Sequence, residues 1–382
     1  MNQLKGKIYE LIGWLATLLP RKKSGTKKIL IVRVDEIGDY MLWRPFLKAM
    51  AAYEAYSGYE IHFCGNQSWK SLFDTFDKDF VHKTFWVDKK AFKTKMVYRF
   101  RFLRSIFLED YSIVINPTFS RDKRNDDSIV KATSAKEKTG MKGNLETVKP
   151  YELGYDKGLY THLFDYPEKP VFEFQRNRLF FEFVTGNKNI VVNTKVDVSK
   201  LPSNHESIPE KYFVVFPGSR SASRIWPAAH FILVAQYLFE QFGWTAVLAG
   251  TKTDEPYTRV FAEGYRYPCI DLTGKTSLPE MLSLLQKAAC LVSVDTGSVH
   301  LAAAVGCTVF GIFNGSQYKR FAPYPQELAN NFYAIYPDEV EKELQNETLV
   351  KQKYEFVVGV PYSSVKAEKV ILAIHRHYTS GT

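Results

Sequence analysis

The chain has 382 residues, 45% hydrophobic and 24% charged, with a net charge of +10. That balance excludes a disordered, collagen-like or low-complexity protein, and the length exceeds one ordinary core, so two domains are expected. Four scattered cysteines (Cys64, Cys269, Cys290, Cys307) without a CxxC pair argue against a disulfide framework or zinc site and read as reduced, mostly buried residues of a cytosolic protein. The basic surplus points to an acidic partner: nucleic acid, an anionic membrane or a phosphorylated substrate.

Residues 1–26 stand apart as a basic amphipathic helical extension. Leu4, Ile8, Leu11, Ile12, Leu15, Leu18 and Leu19 fall on one side of a helix, with Trp14 at the edge of the stripe. Up to residue 28, seven lysines and arginines, Lys5 among them, stand against the single Glu10. The pattern fits a helix lying on an anionic membrane surface, and equally one docked on the protein; it is too short and interrupted to span a bilayer, and Pro20-Arg21-Lys22-Lys23 is not a signal-peptide cleavage site.

"KKILIVRV" (27–34) reads as a buried strand. A helix is expected from about Asp39, with Pro45 in its early turns. Strands follow at 59–65, 83–88 and 111–117, with a helix over 92–107 between the last two. Ser120–Leu145 reads as a loop region with one short helix, and 172–186 as a helix closing the first half. Residues 187–210 read as a linker. The α/β rhythm then restarts, with strands opening "KYFVVFPGS", "WTAVLAG", "CLVSVDTGS" and "CTVFGIF", helices at 227–243, 255–263, 278–289 and from 299, and a last helix near 364–377.

Two loops of the second half look like phosphate receivers. "PGSRSASRIWP" (217–227) offers Gly218 for close backbone approach, the hydroxyl of Ser219, and Arg220 and Arg224 as charged donors. "VDTGSVH" (294–300) is a strand end, a small-residue turn and a helix start. Asp295, Thr296, Gly297 and Ser298 place unpaired N–H groups where an anion is favoured, and His300 follows in the first turn. Read alone, the second loop is equally a capped helix start; two such loops in one sheet favour a diphosphate. The loop at Gly250, Thr251 and Glu255 is a candidate nucleotide rest, or plain surface. In the first half, Asp35, Glu36 and Asp39 crowd one glycine turn. Asp39 reads as a helix N-cap or as a cleft-facing general base; Asp35 and Glu36 read as solvated or paired to Arg33 or Arg44. A literal Asp-x-Asp at Asp77–Asp79 lies off any strand end and is discounted as a metal signature.

These residues carry a resemblance to glycosyltransferase family 9, the lipopolysaccharide heptosyltransferases. The opening Ile29–Arg33, then Ile37-Gly38-Asp39 and Pro45, is similar to that family's start; "PGSRSASRIWP" is similar to its middle motif; and 271–306 is similar to its C-terminal signature. The chain departs at Asp35-Glu36, at Asn314–Gln317 and in its N-terminal extension. The resemblance implies an α/β GT-B fold: two Rossmann-like domains facing a cleft, an acceptor domain at 27–186 and a nucleotide-sugar domain at 211–360, with a C-terminal helix at 361–382. It implies an inverting, metal-independent and cofactor-free transfer of heptose or a related sugar. The donor would be ADP-heptose or another nucleotide-diphosphate sugar, and the acceptor an acidic, lipid-linked saccharide such as lipopolysaccharide core. Asp39 falls on the family's base, Arg224 on its diphosphate-binding lysine, and Asp295, Thr296, Gly297 and His300 on its Asp-Thr-Gly turn and histidine. Arg44, Arg121 and Arg124 are candidates for the acceptor. The expected setting is the cytoplasm, at the inner face of the bacterial inner membrane. The alternative is a non-catalytic protein of this fold that holds an anionic glycan or nucleotide. Nucleic acid is not expected, because no recognisable nucleic-acid motif accompanies the charge.

Overall fold

The run "KKILIVRV" becomes strand β1 (Lys28–Arg33), buried at every position after Lys28. In the computed structural model it is central to one of two six-stranded sheets. The structure describes residues 2–144, 154–166, 170–203 and 208–379, with backbone alone for 2–5. The side chains of Leu4 and Lys5, Leu145, linker residues 204–207 and the last three residues of the expected C-terminal helix lie outside the described residues.

The chain divides into two units. Unit 1 comprises Met1–Glu168 and Phe174–Val192; unit 2 comprises Lys169–Glu173 and Asn193–Thr382. Unit 1 holds β1, β2 (Glu60–Asn66), β3 (Lys83–Val87), β4 (Ile113–Asn116), β5 (Glu137–Met141) and β6 (His162–Phe164). They pair in parallel in the order β3-β2-β1-β4-β5-β6. Its helices are α1 (Asn2–Leu18), α2 (Ile37–Trp43), α3 (Pro45–Ala51), α4 (Lys70–Phe76), α5 (Lys89–Thr94), α6 (Met96–Phe107), α7 (Asp126–Ala132) and α8 (Glu173–Thr185). The helix expected from Asp39 begins at Ile37 and gives way at Arg44, where Pro45 opens α3: proline has no N–H for the preceding turn but suits a first helical position. The helix expected over 92–107 is two, parted at the extended Lys95, and the Asp88 carboxylate caps α5 by accepting from Ala91 N–H at 2.9 Å.

Unit 2 holds β7 (Tyr212–Phe216), β8 (Thr245–Leu248), β9 (Cys269–Asp271), β10 (Cys290–Val294), β11 (Thr308–Ile312) and β12 (Phe332–Ile335), parallel in the order β12-β11-β10-β7-β8-β9. Counted within the unit, this is the arrangement of unit 1. Helices α9 (Ala228–Phe242), α10 (Glu255–Gly264), α11 (Leu278–Lys287) and α12 (Gly297–Val305) flank it. Gly243, at a left-handed φ of 67°, ends α9; Ser277 and Glu280 form a reciprocal capping box on α11. A last helix, Ala367–Thr379, is part of this unit's core, burying Val370 and Ile374 with Val292 and Phe310. Of the residues expected in a linker, those up to Val192 belong to unit 1 and those from Asn193 to unit 2, where Val196 N–H donates to the Ala304 carbonyl at 3.1 Å.

Both sheets reverse their strand order between their first and fourth strands, β1 and β4 in one and β7 and β10 in the other. Ligands of open parallel sheets bind beyond the strand C-termini at such reversals.

Candidate functional site

The acidic turn follows β1 at the reversal point of unit 1. Arg33, the last residue of β1, is fully buried and organises it. Its Nη2 donates to the Asp39 carbonyl at 3.0 Å, its Nη1 to the Pro117 carbonyl beyond β4 at 2.8 Å, and its Nε lies 2.9 Å from the Asp35 carboxylate. Asn66 Nδ2 and Trp69 Nε1 donate to the Asp35 carbonyl at 2.9 and 3.1 Å. Glu36 pairs with Lys89 at 2.7 Å. Asp35 and Glu36 each have a cation beside them. Asp39 is partly exposed at the third position of α2. Glu36 holds the N-cap place, so Asp39 does not act as that cap.

In unit 2 the two expected phosphate loops leave neighbouring strands, β7 and β10. Arg224 lies in the first loop, and its Nη1 is 3.3 Å from the Asp295 carbonyl and 3.6 Å from the Asp295 carboxylate. Burial pushes the Asp295 carboxyl up, and Arg224 draws it back down. Thr296 is the N-cap of α12 without a side-chain capping bond; its hydroxyl instead joins those of Ser298 (2.7 Å) and Ser293. Thr296 and Gly297 are partly exposed, so the first N–H groups of a nine-residue helix meet solvent beside an arginine. Ser219 is buried, while Arg220 is exposed.

Gly218 makes room for a side chain of the protein: a Cβ there would stand 2.2 Å from Asp254 Oδ1. Asp254, buried beside Gly250, caps the following helical turn by accepting from Thr251 N–H at 2.8 Å, so Gly250 and Thr251 serve this cap; Glu255 is exposed at the start of α10. His300 is buried, and its Nδ1 lies 2.6 Å from the Tyr324 hydroxyl. Burial lowers its pKa to about 4, so the ring is neutral at pH 7.

Arg44 and Arg121 are not surface groups awaiting an acidic acceptor. Arg44 is buried and grips the Asp77 carboxylate with Nε and Nη2 at 2.9 and 2.7 Å, which also places the first acid of the Asp77–Asp79 pair inside the unit. Arg121 is buried between Asp127 (2.9 Å) and Asp156. Arg124 is exposed. Among the described residues no cluster of three or more metal-ligating side chains occurs. The sequence did not single out Tyr336 and Tyr362: their buried hydroxyls have no hydrogen-bond partner among the described residues, and both feel the charge of Asp295. No local pattern marks them, since Tyr336 follows the short edge strand β12 and Tyr362 lies in a single turn of 3-10 helix.

The family model described as "Glycosyltransferase family 9 (heptosyltransferase)" matches residues 99–351. The chain belongs to glycosyltransferase family 9. Among curated members, lipooligosaccharide heptosyltransferase 2 of Haemophilus influenzae is 31% identical over 102 residues, covering 25% of this chain and 29% of that protein. Lipopolysaccharide heptosyltransferase 3 of Escherichia coli is 27% identical over 128 residues, 33% of this chain and 37% of that protein. The chain thus aligns with only about a third of the length of these curated relatives. Likeness to solved family members extends further. The glycosyl transferase family 9 protein of Veillonella parvula superimposes with a TM-score of 0.69 at 17% identity, covering 93% of this chain and 98% of that one. E. coli heptosyltransferase WaaC with ADP-2-deoxy-2-fluoro heptose gives 0.65 at 18% identity, covering 92% and 99%. At such identities the likeness is one of fold: two Rossmann-like α/β units, as in the family's GT-B members.

Proposed function

We propose that this family 9 chain transfers a glycosyl group, heptose or a close relative, from a nucleotide-diphosphate donor to a saccharide acceptor, lipopolysaccharide core or a similar lipid-linked glycan, in the cytoplasm. The observation that carries the reading is the place of Asp39: a partly exposed acid in the first turn of α2, at the reversal point of its sheet. In the proposed reaction Asp39 takes the proton of an acceptor hydroxyl as that oxygen attacks the anomeric carbon. The bond from that carbon to the diphosphate oxygen breaks on the opposite face, so configuration inverts and the diphosphate leaves with the electron pair. Arg224 and the N–H groups at Thr296–Gly297 offset the growing charge, while Asp295 and Ser298 shape the turn around them. Ser219 and Arg220, on the loop before Arg224, complete the proposed diphosphate site. Arg224 brings a forked, permanently charged donor to it.

Transfer assays with a panel of nucleotide-diphosphate sugars test this. Asp39→Asn is expected to lower kcat by about 10²–10⁴-fold, with the melting shift caused by the nucleotide unchanged. Transfer that survives the substitution removes Asp39 as base. Nucleotide binding with no transfer by the parent chain would favour the non-catalytic alternative.

A further inference from the structure

Helix α1 has two faces, and among the described residues only one packs on the protein. Tyr9, Ile12 and Ala16 are buried where α1 packs on α6 and α7. The Tyr9 hydroxyl donates to the Lys93 carbonyl, and the Arg99 guanidinium lies 4.4 Å from the Tyr9 ring centre. Arg104 of α6 closes the C-terminal end, donating to the carbonyls of Ala16, Leu19 and Pro20 at 3.2, 2.7 and 3.3 Å. Beyond it, Arg21 pairs with Asp110, whose carboxylate also accepts from Ser24 N–H at 2.8 Å. These ties fix the helix's rotation. At 100° per residue the buried arc is about a quarter turn away from the centre of the apolar stripe.

Much of the stripe is therefore left open. Leu11, Trp14, Leu15 and Leu18, at spacings of three, one and three, are 54%, 56%, 41% and 55% exposed, and Leu19 continues the patch. Lys7 lies on the same arc, one turn before Leu11, and is exposed. Lys22, Lys23 and Lys27 are exposed just past the other end. Glu10, the only acid of the segment, lies 4.0 Å from Lys123. An apolar row with a tryptophan, bracketed by cations, matches the depth profile of a bilayer interface: acyl boundary under the leucines, anionic headgroups around the lysines. A second copy of the chain would set one cationic rim against another, so charge complementarity selects the lipid.

We propose that the open arc of α1 is an anchor that seats unit 1 on an anionic bilayer surface, lying in the interface without crossing it. The inference goes beyond the transfer reaction and does not depend on it, because its readout is physical binding.

The test uses the full chain and vesicles of phosphatidylethanolamine with phosphatidylglycerol, against phosphatidylcholine alone. The parent chain is expected to sediment with the anionic vesicles only, and less so at high salt. Leu11→Glu/Leu15→Glu and Lys22→Glu/Lys23→Glu are each expected to weaken binding about tenfold or more. Their melting temperatures should match the parent's, because all four side chains point outward. Failure of the parent chain to bind anionic vesicles, or undiminished binding by both variants, overturns the proposal. So does a lipid-free dimer in light scattering that Leu11→Glu/Leu15→Glu dissolves.

Discussion

Gly218 and Asp254 are a pair in which one residue exists for the other. With a Cβ position 2.2 Å from the Asp254 carboxylate, Gly218→Ala must displace a buried cap, and a loss of about 1–3 kcal/mol is expected in urea denaturation. Asp254→Ala removes the cap at a cost of about 1 kcal/mol. The double variant should be clearly less destabilised than the two losses added, because the second change removes the atom that the first one strikes. His300 gives a pH dependence. Its folded-state pKa of about 4 lies below the ordinary value of 6.5, so the unfolded chain binds the proton more tightly. Its contribution is complete above pH 6.5 and is lost as pH falls from there toward 4, which amounts to about 2 kcal/mol between pH 7 and 5. His300→Gln is expected to flatten that part of the stability–pH curve, read from denaturation midpoints at the two pH values. The places of Asp39, Arg224 and Asp295 were legible from the sequence because each sits within a few residues of a strand–turn–helix junction. Arg44 and Arg121 were not, because their fate is set by Asp77 and Asp156, 33 and 35 residues away.

Elements were legible where burial is two-sided. The central strands β1, β4, β7 and β10 are apolar runs, nearly all of whose residues are buried. Strands β6, β9 and β12, at sheet edges, and β5 beside one, escaped notice. "HLF", "CID", "FYAI" and "EKTGM" are short or polar, and they exist because a neighbouring strand offers a ladder, not because of a pattern of their own. The rotation of α1 was also beyond the sequence: a hydrophobic stripe gives a direction, but Tyr9, Ala16 and the Arg104 clamp decide which flank docks. Arg104→Ala frees three carbonyls at the end of α1. Amide exchange over 9–20 is expected to quicken about fivefold, the equivalent of about 1 kcal/mol of local opening, with exchange in unit 2 unchanged.

Over the whole molecule, two sheets of identical strand order carry separate cores, with Leu30, Val32 and Val114 in one and Val215, Val292 and Phe310 in the other. The tandem α/β plan was readable from the alternation of runs and helices. Pairings such as Arg320 with Glu173, 147 positions apart, were not, since no local signal records them. A nucleotide diphosphate is expected to protect amides of unit 2 at 217–224 and 295–300 and to leave the core amides of unit 1 as they were. At a hundredfold excess over its dissociation constant it should add about 2.7 kcal/mol to the stability of the state that binds it. Arg224→Ala should weaken that effect by about tenfold in affinity, through loss of a charge-assisted donor. The last helix has a further consequence. Because Val370 and Ile374 belong to the core of unit 2, that core stays open during synthesis until the ribosome has released residue 374, long after the residues of unit 1 have emerged. A nascent chain stalled before Ala367 would thus display bare apolar sheet to chaperones and proteases, which makes an early stop codon there a lesion of folding and not merely of length.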